Sequence, residues 1–173
     1  MAETVGKVLF TEEQIRQRAK ELAAEINRDY AGEPLYLVGT LRGAVVWMAD
    51  MMKEITLDTE IDFIVASSYQ GTNTTGVVSI KKDIDGDVEG KNVIIVEDIV
   101  DTGITLAKLL DYFHAKGAKS VEICSMLSKP SRRIAEIEPK YCGFEIDNLF
   151  VIGYGLDYDQ KYRNLPYIGY LEM

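Results

Sequence analysis

Apolar residues recur along the chain at two spacings, and the alternation between them predicts the elements. Thr11 followed by Gln14 is a capping-box signature, and Ile15, Ala19, Leu22 and Ile26 then keep helical spacing. That helix should stop near Gly32-Glu33-Pro34. LYLVG, residues 35–39, is a short apolar run that reads as a buried strand. Helical periodicity resumes through Val46, Ala49 and Met52, and IDFIVAS, residues 61–67, reads as the next strand. The following stretch, SYQGTNTTG, is polar and glycine-bearing, which predicts a mobile loop with little apolar surface to anchor it. VVSI and NVIIV flank a DIDGD turn and predict two strands with a hairpin-like connection. A helix is predicted from about Thr105 to Lys116, closed by Gly117. SVEICSML reads as a further strand, and shorter strand-like pieces surround FVIGYG. Strands alternating with helices imply an α/β fold with a mainly parallel central sheet flanked by helices on both faces. Ligands of such sheets bind beyond the carboxyl ends of the strands.

Composition narrows this picture without redirecting it. A chain of 173 residues is most simply a single domain, 1–173, long enough to bury a core. With 47% hydrophobic and 27% charged residues it is ordinary for a soluble globular protein. A net charge of −9 argues against a broad nucleic-acid or acidic-membrane surface. No apolar run approaches the roughly 18 residues of a membrane span, and MAETVGKVLF lacks the basic and apolar segments of a signal peptide. The expected location is therefore cytoplasmic. Cys124 and Cys142 form neither a disulfide framework nor a metal-ligand spacing, and read as buried thiols in a reducing compartment.

The stretch VIIVEDIVDTGITL, residues 93–106, is where chemistry first shows. NVIIV delivers Glu97 and Asp98 to a strand end, and Asp101-Thr102-Gly103-Ile104-Thr105 turns into the next helix. Small residues at a helix N-terminus leave backbone N–H groups free, and the helix dipole adds positive potential. Thr102 and Thr105 offer hydroxyl donors, so the turn suits one phosphate. It is not a Walker loop, having neither that spacing nor the lysine. Acids beside a phosphate nest would repel the ligand unless they served hydroxyls, a metal or a proton, and a phosphorylated sugar supplies the first. The bland alternative is that Asp101 caps the helix while Glu97 and Asp98 are solvated loop acids. Bland readings also stand elsewhere: LRG as a strand-to-helix turn, Phe150 as core, Lys129 and Arg163 as surface cations.

VIIVEDIVDTGITL closely resembles the phosphoribosyl-pyrophosphate signature of purine phosphoribosyltransferases, most nearly the 6-oxopurine (hypoxanthine–guanine) enzymes. The likeness covers most of the chain, because LRG at 41–43, SSY at 67–69, SKPSRR at 128–133 and FVIGYGLDYDQKYRNLPYIG at 150–169 follow in the family's order. It implies the type I phosphoribosyltransferase fold, with a small hood made from the chain-terminal segments. It also implies transfer of a 5-phosphoribosyl group from 5-phosphoribosyl 1-pyrophosphate to hypoxanthine or guanine, giving IMP or GMP and pyrophosphate.

By that resemblance Glu97 and Asp98 hold the ribose hydroxyls, directly or through magnesium-bound water. Asp101, Thr102, Gly103, Ile104 and Thr105 hold the 5′-phosphate, and Asp101 is the candidate acid/base at purine N7. Leu41, Arg42 and Gly43 match the pyrophosphate loop, in which the peptide before the basic residue is often cis. Many relatives carry lysine at Arg42, so the match there rests on the loop backbone. Ser68 and Tyr69 match the start of a lid that excludes water. Lys129 matches the donor to the base's 6-oxo group, Phe150 its stacking platform, and Val151 the backbone that reads its edge. Asp157 joins the purine set and contacts magnesium on the pyrophosphate side, and Arg163 binds pyrophosphate. Arg133 is a candidate for the same region or for a subunit contact. The implied cofactor is Mg2+, with Glu97, Asp98 and Asp157 nearest to it; His114 has no chemistry, and a homodimer or homotetramer is implied. A xanthine-preferring transferase, a nucleotide-sensing regulator on the same fold and a generic phosphate-binding module are the competing readings.

Overall fold

A computed structural model describes residues 6–68 and 78–172 of the chain. The described elements are β1 (Lys7–Phe10), α1 (Glu12–Asp29), β2 (Leu35–Thr40), α2 (Val45–Glu54), β3 (Thr59–Ser68), β4 (Val78–Lys82), β5 (Asn92–Val100), α3 (Ile104–Ala115), β6 (Ser120–Ser128), β7 (Tyr141–Glu145), β8 (Phe150–Ile152) and β9 (Ile168–Leu171). Six of the strands form one sheet in the order β4-β3-β2-β5-β6-β7. All of its pairings are parallel except that of β4 with β3.

The central strands are buried on both faces, and the period of two sorts their side chains between layers. Leu35, Leu37, Ile94 and Val96 pack with Ile15, Leu22 and Ile26 of α1 and with Trp47 and Met51 of α2. Tyr36, Val38, Val93 and Ile95 point the other way, toward Leu106, Leu109 and Phe113 of α3. The capping box at the start of α1 is formed, with Thr11 and Gln14 exchanging side-chain and backbone bonds. The helix ends at Tyr30, before the glycine–proline stretch.

Two sequence expectations need correction. The apolar spacing Val46, Ala49, Met52 has the right period but the wrong phase, because α2 buries Trp47, Met48, Asp50 and Met51 while Met52 is exposed. Apolar residues on every side of the first two turns leave the phase undetermined, and the largest side chain, Trp47, takes the inside. The DIDGD turn does not make a hairpin. β4 pairs with β3, and β5 pairs with β2 and β6. The turn is held instead by Asp62 of β3, whose buried carboxylate accepts from the backbone N–H groups of Asp85 and Gly86 and from the Tyr36 hydroxyl. Ser68 ends β3 opposite Val78. Tyr69 and the rest of the predicted lid stretch through residue 76 lie outside the described residues.

The segments at the two ends of the chain build a second, three-stranded antiparallel sheet, β1-β9-β8, which is the expected hood. Registers in the main sheet place Gly39 beside Val96 and Val100 beside Ser128. The segments after β2, β5 and β6 therefore emerge at one carboxyl edge, beneath the hood.

Candidate active site

A cleft of about 370 Å³ opens at that edge, lined among others by Leu41, Gly43, Glu97, Asp98, Asp101, Thr102, Gly103, Ile104, Thr105, Asp157 and Arg163. Residues predicted from three separate stretches of chain thus meet around one space.

The acid pair forms part of its wall. Oε1 of Glu97 accepts from the Thr40 hydroxyl at 2.9 Å and from the Asp98 backbone N–H at 3.0 Å. Burial and the neighbouring Asp98 raise its pKa well above the usual carboxylate range. Asp98 accepts from the Ile99 N–H at 2.7 Å through Oδ1. Its Oδ2 faces Gly43 so closely that a Cβ there would stand 1.8 Å away. The Leu41–Arg42 peptide is cis, as the family resemblance leads one to expect. The glycine of this loop is thus needed by the acid pair, not only by a phosphate.

The Asp101–Thr105 turn reads differently from a capped helix. The N-cap of α3 is Gly103, in the left-handed region at φ 80°, and no side chain caps the helix. Asp101 is therefore not a cap, and the one side-chain contact at the start of α3 among the described residues is a long bond of 3.5 Å from the Ile104 N–H to the Thr102 hydroxyl. The turn is braced from behind by the segment after β6. Thr102 O accepts from the N–H groups of Ile134 and Ala135 at 2.9 and 3.1 Å. The guanidinium of Arg133 donates to the carbonyls of Val100 and Asp101, at 3.2 and 2.6 Å, and to the Ser128 hydroxyl at 2.6 Å. Arg133 also pairs with Glu138 at 3.3 Å, so its guanidinium braces the turn from several sides. The Asp101 carboxylate is 44% exposed and accepts from Nε of Arg132 at 3.0 Å.

On the base side, Lys129 follows β6 and its backbone N–H donates to Val100 O at 2.9 Å. Although a lysine, it is 8% exposed. Burial lowers its pKa, Asp101 opposes that shift and Arg132 adds to it. Phe150 is partly exposed and meets Tyr158 edge-to-face at 5.5 Å, while Val151 is buried and paired with Tyr170 of β9. These three stand outside the lining of the cleft.

On the opposite side Arg163 donates to Gly155 O at 2.7 Å and to Gln160 Oε1 at 3.2 Å, and pairs with Asp157 at 3.3 Å. Its Nε is buried without a partner. Arg42 reaches the same Gln160 oxygen at 3.2 Å, and the Gln160 N–H donates to Asp157 at 2.9 Å. Gln160, Thr40 and Arg132 went unnoticed in the sequence, where nothing but three-dimensional proximity marks them. His114, near the end of α3, is exposed and does not line the cleft. Both cysteines are free; Cys124 is buried as expected, whereas Cys142 is only partly buried.

The model of the phosphoribosyl transferase domain matches residues 7–159. The chain belongs to the phosphoribosyltransferase family. Within that family, a hypoxanthine-guanine phosphoribosyltransferase of Streptococcus pneumoniae is 48% identical over 169 residues, covering 97% of this chain and 94% of its own. A crystal structure of a Staphylococcus aureus hypoxanthine phosphoribosyltransferase superposes with a TM-score of 0.92 at 48% identity, covering 96% of this chain and 91% of that one. A Bacillus anthracis hypoxanthine-guanine phosphoribosyltransferase gives a TM-score of 0.93 at 45% identity, covering 98% and 100%. The type I phosphoribosyltransferase architecture expected from the sequence is the one observed.

Proposed function

We propose that the protein is a purine-salvage enzyme that transfers the 5-phosphoribosyl group of 5-phosphoribosyl 1-pyrophosphate to hypoxanthine or guanine, releasing IMP or GMP and pyrophosphate. The activity of its relatives supports this. The observation that carries it is the convergence on one cleft of the Leu41–Gly43 loop, the Glu97–Asp98 pair, the Asp101–Thr105 turn and Arg163.

In this reading the uncapped start of α3 takes the 5′-phosphate through backbone N–H groups and the Thr102 and Thr105 hydroxyls. Glu97 and Asp98 take the ribose hydroxyls. The Leu41–Gly43 backbone and Arg163 receive the pyrophosphate, so the donor is gripped at both ends and its anomeric carbon is presented to the base. As the C1–O bond breaks, positive charge grows on the ribose ring, and the acid pair stabilises it. N9 of the purine forms the new bond from the face opposite the departing pyrophosphate. Asp101 manages the proton at purine N7, and Lys129 donates to the 6-oxo group. Phe150 stacks on the base while the Val151 backbone reads its edge. Ser68 and Tyr69 begin the lid.

The donor set fits magnesium. Glu97, Asp98 and Asp157 offer hard oxygens around the cleft, yet among the described residues no cluster of three or more His, Cys, Asp or Glu could hold a metal unaided. That suits an ion which takes most ligands from pyrophosphate and water. When bound, it neutralises charge on the departing pyrophosphate. No helix among the described residues is long and apolar enough to cross a membrane. We place the enzyme in the cytoplasm as a homodimer or homotetramer, to be weighed by sedimentation.

Initial rates with hypoxanthine, guanine, xanthine and adenine, with and without magnesium, test the proposal. Magnesium-dependent nucleotide formation fastest with hypoxanthine or guanine is expected. Fastest use of adenine would overturn the role of Lys129, and ligand binding without nucleotide formation would favour a sensor.

A further inference from the structure

Residues 153–155 of the hood, Gly-Tyr-Gly, form an unbroken left-handed run, with φ of 90°, 52° and 99°. The flanking glycines adopt such angles freely, whereas a tyrosine does not. Gly153 and Leu156 exchange backbone bonds at 2.9 and 3.0 Å, and Tyr154 and Gly155 donate to the carbonyls of Leu165 and Arg163 at 2.9 Å. The run lies between the base platform of β8 and the pyrophosphate-side residues Asp157 and Arg163. Gly155 is pressed on the pyrophosphate loop, where a Cβ would stand 2.1 Å from the Gly43 carbonyl oxygen. Gly43 is pressed in turn on Asp98. Hood, pyrophosphate loop and ribose acid therefore stand in one contact chain.

A buried polar bond ties this chain to the framework, beside a Lys53–Asp50 ion pair at 3.7 Å. The Tyr154 hydroxyl donates to the carboxylate of Asp50, both residues being buried. Asp50 lies on the inner face of α2, the helix that follows directly from the pyrophosphate loop. An acid on an otherwise apolar helix face costs stability unless it is hydrogen-bonded, so the bond has a purpose beyond filling the core. It joins the helix that carries one wall of the cleft to the segment that forms the opposite wall.

We propose that Tyr154 and Asp50 are positioning residues of the transferase, their buried hydrogen bond holding Gly155 against Gly43 and so fixing the pyrophosphate site. The role rests on the transferase reading above. It concerns the donor, because β8 is independently held by its pairing with β9. Loss of the hydroxyl frees the left-handed run and lets the Gly155–Gly43 apposition open, which moves Arg163 through its bond to Gly155 O.

The test is steady-state kinetics of Tyr154→Phe, Asp50→Asn and the double variant, with thermal unfolding of each. Y154F is expected to raise KM for 5-phosphoribosyl 1-pyrophosphate about tenfold while KM for hypoxanthine stays within about twofold. D50N retains an oxygen that accepts the hydroxyl and should shift the donor KM less than Y154F does. The double variant leaves no stranded buried charge, so it folds even if Y154F alone does not, and it should show the Y154F donor KM. A folded double variant with wild-type donor KM overturns the role, as does an equal rise in both KM values. An inactive wild-type protein in the same assay would instead overturn the transferase reading.

Discussion

The half-exposed Asp101 carboxylate has the Arg132 guanidinium as its cationic partner. An exposed ion pair of this kind contributes about 0–1 kcal/mol, so it can open without penalty when a base enters. Asp101→Asn preserves shape and a polar contact but removes the proton-accepting charge. It is expected to lower kcat roughly 100-fold or more while leaving donor affinity within a few-fold, measured by rapid-quench turnover and by donor titration. Unchanged turnover would remove Asp101 from the acid/base role. Among single residues announced by a motif, the acid pair, the turn and Arg163 reach the cleft, whereas Lys129, Phe150 and Val151 stand outside its lining. Gly43 was legible only in part. Its sequence context speaks of pyrophosphate, whereas its nearest constraint is Asp98, from a strand more than fifty residues away. Arg133 lies in the expected neighbourhood, and its bonds to two backbone carbonyls, to Ser128 and to Glu138 carry no sequence signature.

At the scale of elements, helix starts with a side-chain cap and strands with a continuous apolar run were readable, because those signals are local. The partner of β4 was not, because a turn-rich DIDGD fits both a hairpin and a sheet-edge connection. Asp62 decides between them by gathering the turn onto β3. Burial pushes its carboxyl up, but the Tyr36 hydroxyl and the N–H groups of Phe63, Gly86 and Asp85 outweigh this and hold its pKa below the ordinary value. A carboxyl depressed in the folded state stabilises above its unfolded pKa, about 3.9, and that stabilisation is lost as pH falls through the folded value. Asp62→Asn should therefore be less stable than wild type at pH 7, with the gap narrowing below about pH 4. Urea midpoints measured for both proteins across this range check the sign, and a gap independent of pH would refute it.

For the whole molecule, a net charge of −9 sets the far field. The cleft itself is lined by Glu97, Asp98, Asp101 and Asp157 against Arg163, so the approach to it is not a basic funnel. A polyanionic donor is then recognised by short-range geometry, after it has approached against repulsion. Added salt screens such repulsion over a Debye length of about 10 Å at 0.1 M. With magnesium saturating, association of the donor should be unchanged or faster as ionic strength rises, the reverse of a basic phosphate binder. Stopped-flow association rates across a salt series would show it, and a steep fall with salt would contradict it.

The hood also imposes an order in time. All six strands of the main sheet, and with them the acid pair and the phosphate turn, have been synthesised by Glu145. β1 precedes the main sheet in the chain, yet its partner is β9, which follows that sheet and also pairs with β8. On the ribosome the half of the site proposed for the sugar phosphate is therefore complete in sequence before the strand proposed as the base platform can pair. A nascent chain halted ahead of Ile168 carries the acid pair and the turn, while the strand that bears Phe150 and Val151 still lacks its partner.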